Sequence, residues 1–358
     1  MDPIVDVTIP VHTRSRPIAR AVSSIVDHTK TPTRVTVVAH NIDAGVIRSN
    51  LGPLALDQRV RLLELADGIP SPAGPMNLGI SQSTAPFISV MGSDDEFEPG
   101  AIDSWYSLQQ ATDASVVITQ VRHSRGGREL SPPARPGRSR HMDPVKDRLS
   151  YRSAPLGLIS RDVFGDLRFA EGLPSGEDLP YVTRLWFSGA GIAFARRGPG
   201  YLVHSDAEDR VTSTPRSIVS DFAFLDYIFG DPLIEAFDSR ERTALAIKLI
   251  RVHLFDAIVN RSVLEAWPSG EREALATVAR RMIAWSDRPE RFLSVLDRTL
   301  LDGILDGVEP AEQLMGLIRR RWNYRSADVV VPRNPFLAFT RQSPLRTYIG
   351  GYFVSRPG

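Results

Sequence analysis

The N-terminal half of the chain alternates short apolar runs with amphipathic segments. The runs are rich in β-branched residues, which is typical of buried strands, whereas the segments between them have helical spacing, as at 18–26, where Pro17 precedes the first apolar residue. Five runs predict strands: 5–11, 35–38, 60–65, 87–91 and 115–121. Strands that alternate with helices form βαβ units, so the pattern predicts an α/β fold with a doubly wound, mostly parallel sheet.

The strand ends of such a sheet are where we expect the chemistry. Ligands of doubly wound sheets bind outside the carboxyl ends of the strands, near the point where the strand order reverses. The loops that follow residues 11, 38 and 91 are therefore the predicted binding edge.

The pattern changes near residue 214 and again near residue 332. Helical spacing alone follows residue 214, and it predicts five helices at 215–229, 239–260, 269–285, 289–305 and 309–322. We therefore expect an α/β domain over 1–213, a helical subdomain over 214–331 and a C-terminal tail over 332–358.

The tail is basic and aromatic. It contains Arg333, Arg341, Arg346 and Arg356, several phenylalanines and tyrosines, and no acidic residue. Two interpretations are open: a segment packed back on the domain, or a contact with anionic lipid headgroups or a partner.

Composition narrows the class of protein. The 358 residues include 43 Lys+Arg and 42 Asp+Glu, and this near-neutral balance excludes a protein that coats nucleic acid. Cysteine is absent, which excludes disulfides, thiolate metal sites and thiol nucleophiles. The N-terminus lacks the pattern of a signal peptide, and no apolar run reaches the roughly 20 residues of a membrane span. We therefore expect a cytoplasmic protein.

Residues 122–148 interrupt the strand and helix rhythm with eight lysine and arginine residues, four prolines and several glycines. Two interpretations stay open for this basic segment. It is either a solvated surface loop or a basic flap over an anionic ligand such as a diphosphate.

Three short motifs could carry chemistry. The acids in Gly92-Ser93-Asp94-Asp95-Glu96 directly follow a strand, so they could hold Mg²⁺ or Mn²⁺ on a phosphate, or simply cap the next helix. Glu177 and Asp178 begin a helix, where a general base could sit or where the helix dipole alone favours acids. His204 follows a strand and is either a metal ligand or a structural histidine. Glycine-rich dinucleotide loops, P-loops, G-x-S-x-G and H-E-x-x-H are missing.

Five segments in this order resemble the family 2 glycosyltransferases of the GT-A fold, over roughly residues 4–212. They are VTIPVH at 7–12, PMNLGI at 75–80, FISVMGSDD at 87–95, LGLISRDVF at 156–164 and PSGEDL at 174–179. The chain departs from the family pattern at three places. His40 and Asn41 stand where an aspartate usually follows the second strand, Gly92 replaces the first acid of D-x-D, and Met76 replaces an arginine.

The resemblance implies an inverting transfer from a nucleotide-diphospho-sugar, most commonly a UDP-sugar, to a hydroxyl of a glycan, cell-wall polymer or other acceptor in polysaccharide biosynthesis. Asp178 would be the general base with Glu177 as a helper, and Asp94 would hold Mn²⁺ or Mg²⁺ with His204 as a further ligand. The residues implied in donor binding are Pro10, His12, Arg14, His40, Asn41, Asn77, Ser93 and Asp94.

The helical part lies outside the family core. We expect it to serve acceptor recognition, homo-oligomerisation or docking at the inner face of a membrane. A non-catalytic protein that binds nucleotide-sugar or acts as a scaffold is the main alternative, and a nucleotidyltransferase ranks last because the loop after the first strand has no glycine.

Overall fold

The fold was analysed in a computed structural model that describes residues 2–206, 216–261, 267–307 and 310–355. Its ten strands form two sheets. The strands are β1 (Val5–Val11), β2 (Thr33–His40), β3 (Val60–Leu65), β4 (Phe87–Val90), β5 (Glu96–Phe97), β6 (Val116–Thr119), β7 (Val121–His123), β8 (Gly157–Ser160), β9 (Ile192–Ala195) and β10 (Tyr201–Val203).

The larger sheet has seven strands in the order β3-β2-β1-β4-β8-β6-β9. Strand β1 is parallel to both of its neighbours, and Val7 lies beside Val35 of β2 and Ser89 of β4. Strand β8 is the exception, because it pairs antiparallel with β4 and β6. The sheet is therefore mostly parallel, as predicted, and the carboxyl ends of β1 to β4 lie along one edge.

A second, smaller sheet has three strands in the order β5-β10-β7. Strand β5 follows the carboxyl end of β4 in the chain, and the sequence pattern did not predict this sheet. Leu202 of β10 pairs with Glu96 of β5. This pairing places the acidic turn after β4 beside the residues that follow β10, including His204.

Sixteen α-helices are found in the described ranges. They are α1 (Ile18–Val26), α2 (Ala44–Leu51), α3 (Ala73–Ser81), α4 (Ala101–Thr112), α5 (Arg161–Phe164), α6 (Asp178–Trp186), α7 (Ile218–Asp221), α8 (Phe224–Phe229), α9 (Pro232–Glu235), α10 (Ser239–Lys248), α11 (Phe255–Val259), α12 (Glu271–Ala284), α13 (Val295–Asp306), α14 (Ala311–Arg321), α15 (Ala327–Val330) and α16 (Pro344–Ser355). A π-helical segment, Leu249–Leu254, joins α10 to α11. The predicted helical C-terminal part is confirmed, although the starts expected at 215 and 309 lie outside the described residues.

Three apolar clusters form the core. Two of them pack on the large sheet, one with α1 and α4 and the other with α6. The third belongs to the helical part but also takes in Leu173 and Leu179, which flank the predicted base. The helical part therefore packs directly on the segment that carries Asp178. Across the described part of the chain, we find no helix with the length and apolar character needed to span a membrane.

The C-terminal segment packs back on the α/β part. Val354 is buried in the cluster around α6, and a Cβ atom on Gly350 would lie 2.2 Å from the carbonyl oxygen of Pro133. Gln342 donates a hydrogen bond to the carbonyl of Val145 at 2.9 Å. One side of this segment is thus packed back on the α/β part, as the first of the two interpretations expects, while Phe336 and Phe339 on it stay exposed.

Two arginines of the basic segment and one just beyond it form ion pairs within the protein. Arg135 pairs with Asp147 at 2.6 Å, and the buried guanidinium of Arg152 pairs with Glu129 at 3.1 Å. Arg122 pairs with Glu98. These three arginines are therefore engaged in ion pairs within the protein and do not fit a free flap.

Candidate active site

The ends of β2 and β3 carry a hydrogen-bonded cluster of His40, Asn41 and Asp67. Nε2 of His40 lies 2.9 Å from Oδ1 of Asp67, and Nδ2 of Asn41 donates to the same oxygen at 3.2 Å. Asn41 adopts a left-handed conformation (φ 54°), and its Oδ1 accepts a hydrogen bond from the Gly68 N–H. Partial burial opposes ionisation of Asp67, but hydrogen bonds from Ile69, His40 and Asn41 outweigh it and lower its pKa.

Asp67 was missed by the sequence analysis. The family pattern pointed to the end of the second strand, where this chain has no carboxylate. Parallel pairing of β2 with β3 brings the acid after β3 to that place. The sequence did contain a signal for Asp67, because this acid lies two residues beyond the predicted strand 60–65, at the edge of the sheet where ligands are expected.

The acidic turn after β4 faces two arginines of the β1–α1 region. Asp94 pairs with the buried Arg16, whose Nη1 lies 2.8 Å from Oδ2. Arg20 donates to the carbonyl of Asp94 and lies 3.3 Å from Glu96. The predicted donor residue Arg14 is exposed, and its carbonyl accepts a hydrogen bond from Asn50, whereas the arginine that contacts Asp94 is Arg16.

Asp95 has a structural role. Its Oδ2 accepts a hydrogen bond from the Tyr201 hydroxyl at 2.7 Å, and its Oδ1 accepts one from the His204 N–H at 2.9 Å. Burial and the adjacent carboxylate raise the pKa of Tyr201, which keeps this hydroxyl protonated. A Cβ on Gly92 would lie 2.9 Å from Oδ2 of Asp95. Glycine at position 92, where the family has the first acid of D-x-D, therefore leaves room for the hydrogen bonds that join Asp95 to Tyr201 and His204.

His204 contacts Glu96, with Nε2 2.9 Å from Oε1, and this contact does not support the expected pairing with Asp94. In the described ranges, histidine and acidic side chains nowhere gather in threes in a way that could hold a metal ion. A single carboxylate such as that of Asp94 still fits the pattern in which Mg²⁺ binds one or two carboxylates and completes its shell with substrate phosphates and water.

Asn77 of α3 holds a loop of the chain. Its Oδ1 accepts from the Phe169 N–H at 2.8 Å, and its Nδ2 donates to the Phe169 carbonyl at 3.0 Å and to Glu171 at 2.9 Å. The side chain is buried, and its acceptor and donor groups are engaged. These bonds use the polar groups of Asn77 within the protein and do not support a direct contact with the donor, while the residue also lines a cavity of about 470 Å³ together with Asp67.

Asp178 lies on the wall of a cavity of about 580 Å³ between the α/β part and the helical part. Gly176 makes the turn before it with φ 73°, and a Cβ there would meet the ring of Phe224 at 2.9 Å. Burial and the neighbouring Glu177 raise the pKa of Asp178 to about 7. Burial also raises the pKa of Glu177. A carboxyl group with a pKa near neutrality suits general base catalysis.

The opposite wall of this cavity comes from the helical part. His253 and Asp256 line it, together with Asn260 and Arg261. The sequence did not predict these residues, because nothing in the helical spacing distinguishes them from other helix positions. They lie more than 70 residues beyond Asp178, and only the packing of the helical part on α6 brings them together.

The acidic turn and Asp178 border neighbouring cavities. A second cavity of about 380 Å³ is lined by Asp95, Tyr201 and Ser153, and Ser153 also lines the cavity of Asp178. Pro10, His12 and Ser93 lie at the strand ends on the same edge as Asp94, with Ser93 buried and the other two half-buried. Most of the predicted residues thus gather at the carboxyl edge and along the adjoining cavities.

Comparison with known proteins supports the family resemblance and the fold. Residues 6–168 match the model of the family described as glycosyl transferase family 2. The predicted resemblance is confirmed. Curated protein sequences gave no match.

Solved structures share the fold at low sequence identity. The crystal structure of S. aureus TarS 1–349 has a TM-score of 0.67 and 15% identity, and the match covers 89% of this chain and 91% of that one. The same TarS fragment in complex with UDP-GlcNAc has a TM-score of 0.68 with the same identity and coverage. For the longer TarS structure the TM-score is 0.64 at 16% identity, over 90% of this chain and 55% of that one. The predicted GT-A fold with a helical C-terminal region is confirmed.

Proposed function

We propose that the protein is an inverting glycosyltransferase that moves a sugar from a nucleotide-diphospho-sugar to a hydroxyl group of a glycan or cell-envelope acceptor. The observation that best supports this proposal is the carboxyl group of Asp178. Its pKa is raised, and it lies on the wall of a cavity next to the carboxyl edge of the large sheet. The family match supports the reaction class. Similar structures bound to UDP-GlcNAc and to UDP favour a UDP-sugar as the donor.

In the proposed reaction the acceptor hydroxyl loses its proton to the Asp178 carboxylate as its oxygen attacks the anomeric carbon. The bond from that carbon to the diphosphate oxygen breaks, and the nucleoside diphosphate leaves with the electron pair. One carboxylate suffices because a single displacement forms no covalent sugar–enzyme intermediate, unlike the two-carboxylate retaining glycosidases. Glu177 would assist by making ionisation of Asp178 less favourable, which strengthens the base.

The donor would lie along the ends of β1 to β4. Pro10 and His12 end β1, while His40, Asn41 and Asp67 offer hydrogen-bonding groups at the ends of β2 and β3. Ser93 and Arg14 remain proposed donor contacts. Arg16 and Arg20 carry positive charge next to the acidic turn and would attract the diphosphate.

We also propose that Mn²⁺ or Mg²⁺ binds with the donor, with Asp94 as a ligand. When bound, the ion offsets the charge that develops on the leaving diphosphate. Asp94 would have to exchange its contact with Arg16 for the ion, and His204 could join only by leaving Glu96.

The helical part over 214–331 would form the acceptor side of the site, and the segment over 332–358 a peripheral membrane contact at the cytoplasmic face. Phe336 and Phe339 are 87% and 73% exposed. Arg333, Arg341 and Arg346 are exposed on the same segment, which contains no acid. Exposed aromatic rings beside cationic side chains match a surface of anionic lipid.

The decisive experiment combines a donor screen with an Asp178→Asn variant. A thermal-shift screen of UDP-, GDP-, TDP- and CDP-sugars identifies the donor, because a bound ligand raises the melting temperature by mass action. With that donor and cell-envelope acceptors, Asp178→Asn should lower transfer by about 10² or more and leave donor affinity near the wild-type value. Asp162→Asn, at a highly exposed aspartate, is the control. Undiminished transfer by Asp178→Asn would remove Asp178 from the mechanism.

The non-catalytic alternative has one observation in its favour, the pairing of Asp94 with Arg16 where a metal-binding acid is expected. If this alternative is correct, the protein binds the donor but does not consume it. No nucleoside diphosphate should then be released with any acceptor fraction.

A further inference from the structure

Lys248 stands out among the basic residues of the chain. Of the 43 Lys+Arg residues only Lys30, Lys146 and Lys248 are lysines. Lys248 ends α10 and is 1% exposed, whereas the other two lie at the surface. An ammonium group can lose its proton when it is buried, whereas a guanidinium group keeps its charge in proteins. The side chain of a lysine at this buried position can therefore gain or lose its proton, and with it its positive charge.

The π-helical segment brings Lys248 and His253 together. Nζ of Lys248 lies 2.6 Å from Nε2 of His253, five residues further on. In a regular α-helix, neighbours on one face are three or four residues apart. The wider turn of a π-helix, with bonds between residues five apart, aligns the two side chains. Segments of this kind are rare and often occur at functional sites.

Several charged groups face this pair. Asp178 of α6 and Asp256 of α11 act on Lys248 with opposite charge, but burial outweighs them and lowers its pKa to about 7. Burial and Lys248 keep the pKa of His253 well below its usual value, so the ring is neutral and can accept a hydrogen bond from the ammonium. Burial raises the pKa of Asp256 to about 6, against the attraction of Arg321 and Lys248. The remaining charged residues that line the cavity are Arg216, Asp221 and Arg261.

We propose that Lys248 is a positioning residue for the transfer reaction, and that its ammonium group, held by His253, keeps Asp178 ionised in the free enzyme. This inference rests on the proposed function and extends it to the helical part, which would supply the charge that prepares the base. Among the groups that act on Asp178, burial and Glu177 favour its neutral form, whereas Lys248 favours the carboxylate. Without the ammonium, Asp178 would be protonated over more of the neutral pH range and unable to accept a proton.

The test is the pH dependence of kcat/KM for Lys248→Met. The profile of this variant should rise at higher pH than that of the wild type, by about one pH unit, the lower end of the effect of a nearby opposite charge. Transfer near pH 6 should fall about tenfold, and it should approach the wild-type value near pH 9. Lys248→Arg, which keeps the charge, should restore most of the wild-type profile, and the surface variant Lys30→Met should not change it.

A loss of transfer by the same factor at every pH would overturn the proposal, because it would assign Lys248 to packing alone. Infrared titration of the Asp178 carboxyl group, identified by difference from Asp178→Asn, gives a readout that needs no activity. Its midpoint should rise in Lys248→Met, and an unchanged midpoint would also overturn the proposal. If the wild type transfers no sugar but the midpoint moves, the proposed function fails while the electrostatic coupling stands.

Discussion

At the scale of single residues, the pairing of Asp94 with Arg16 governs how the donor can bind. The carboxylate that would hold a cation already has a positive partner at 2.8 Å. An arriving ion would compete with this guanidinium for Asp94, and the released Arg16 could then contact the diphosphate. Removing one partner of a buried ion pair leaves the other uncompensated, so substitutions here affect binding through both groups.

Asp94→Ala should therefore abolish the metal dependence of nucleotide binding. Calorimetry of the wild type with a nucleoside diphosphate should give tighter binding with Mn²⁺ than without it. The variant should give equal affinities in both conditions, because a substrate-completed site loses its carboxylate ligand. Asp162→Ala serves as the control at an exposed position. Equal wild-type affinities with and without Mn²⁺ would argue against a metal site at Asp94 and would leave charge compensation to Arg16 and Arg20.

At the scale of elements, helix α3 and the loop that follows α5 are joined by one side chain. Asn77 makes two hydrogen bonds to the backbone of Phe169 and one to Glu171. The loop leads to Gly176 and Asp178, so this contact joins α3 to the segment that carries the proposed base. The resemblance implied that Asn77 binds the donor, whereas its hydrogen bonds give it a structural role.

Asn77→Ala should lower the free energy of unfolding by about 1–3 kcal/mol, because it leaves the buried Phe169 N–H and carbonyl groups without partners. Donor KM should change little at temperatures where the variant is folded. Chemical denaturation with Ser81→Ala, at an exposed position of the same helix, provides the comparison and should differ little from the wild type. A large rise in donor KM with unchanged stability would return Asn77 to the binding site.

At the scale of the whole molecule, the helical part and the C-terminal segment are not independent of the α/β part. The helical core includes Leu173 and Leu179, and Val354 completes the cluster around α6. Deleting the C-terminal segment would therefore expose core residues and confuse a binding test with unfolding. Point substitutions on its exposed side are the sharper probe.

Phe336→Ser with Phe339→Ser should lower binding to vesicles that contain phosphatidylglycerol by about tenfold or more, because the burial of two aromatic rings in the interface is lost. Sedimentation at low and high salt measures the effect, and salt should weaken wild-type binding. Leu56→Ser removes an equally exposed apolar side chain from the α/β part and should not alter binding. Equal sedimentation of the wild type and the double variant would discard the membrane contact.

The sequence by itself determined the elements and most of the strand edge. Helix α1 and strands β1 and β3 lie where their apolar patterns predicted them, because the periodicity of apolar residues is a local property of the sequence. The tertiary structure alone decided the antiparallel β8, the small sheet that ties Asp95 to Tyr201, and the position of Asp67, after β3, beside His40 and Asn41 at the end of β2. It also decided that His253, with Lys248 bonded to it, lies at the cavity of Asp178, since the proximity of residues about 70 positions apart depends on packing that no local pattern records.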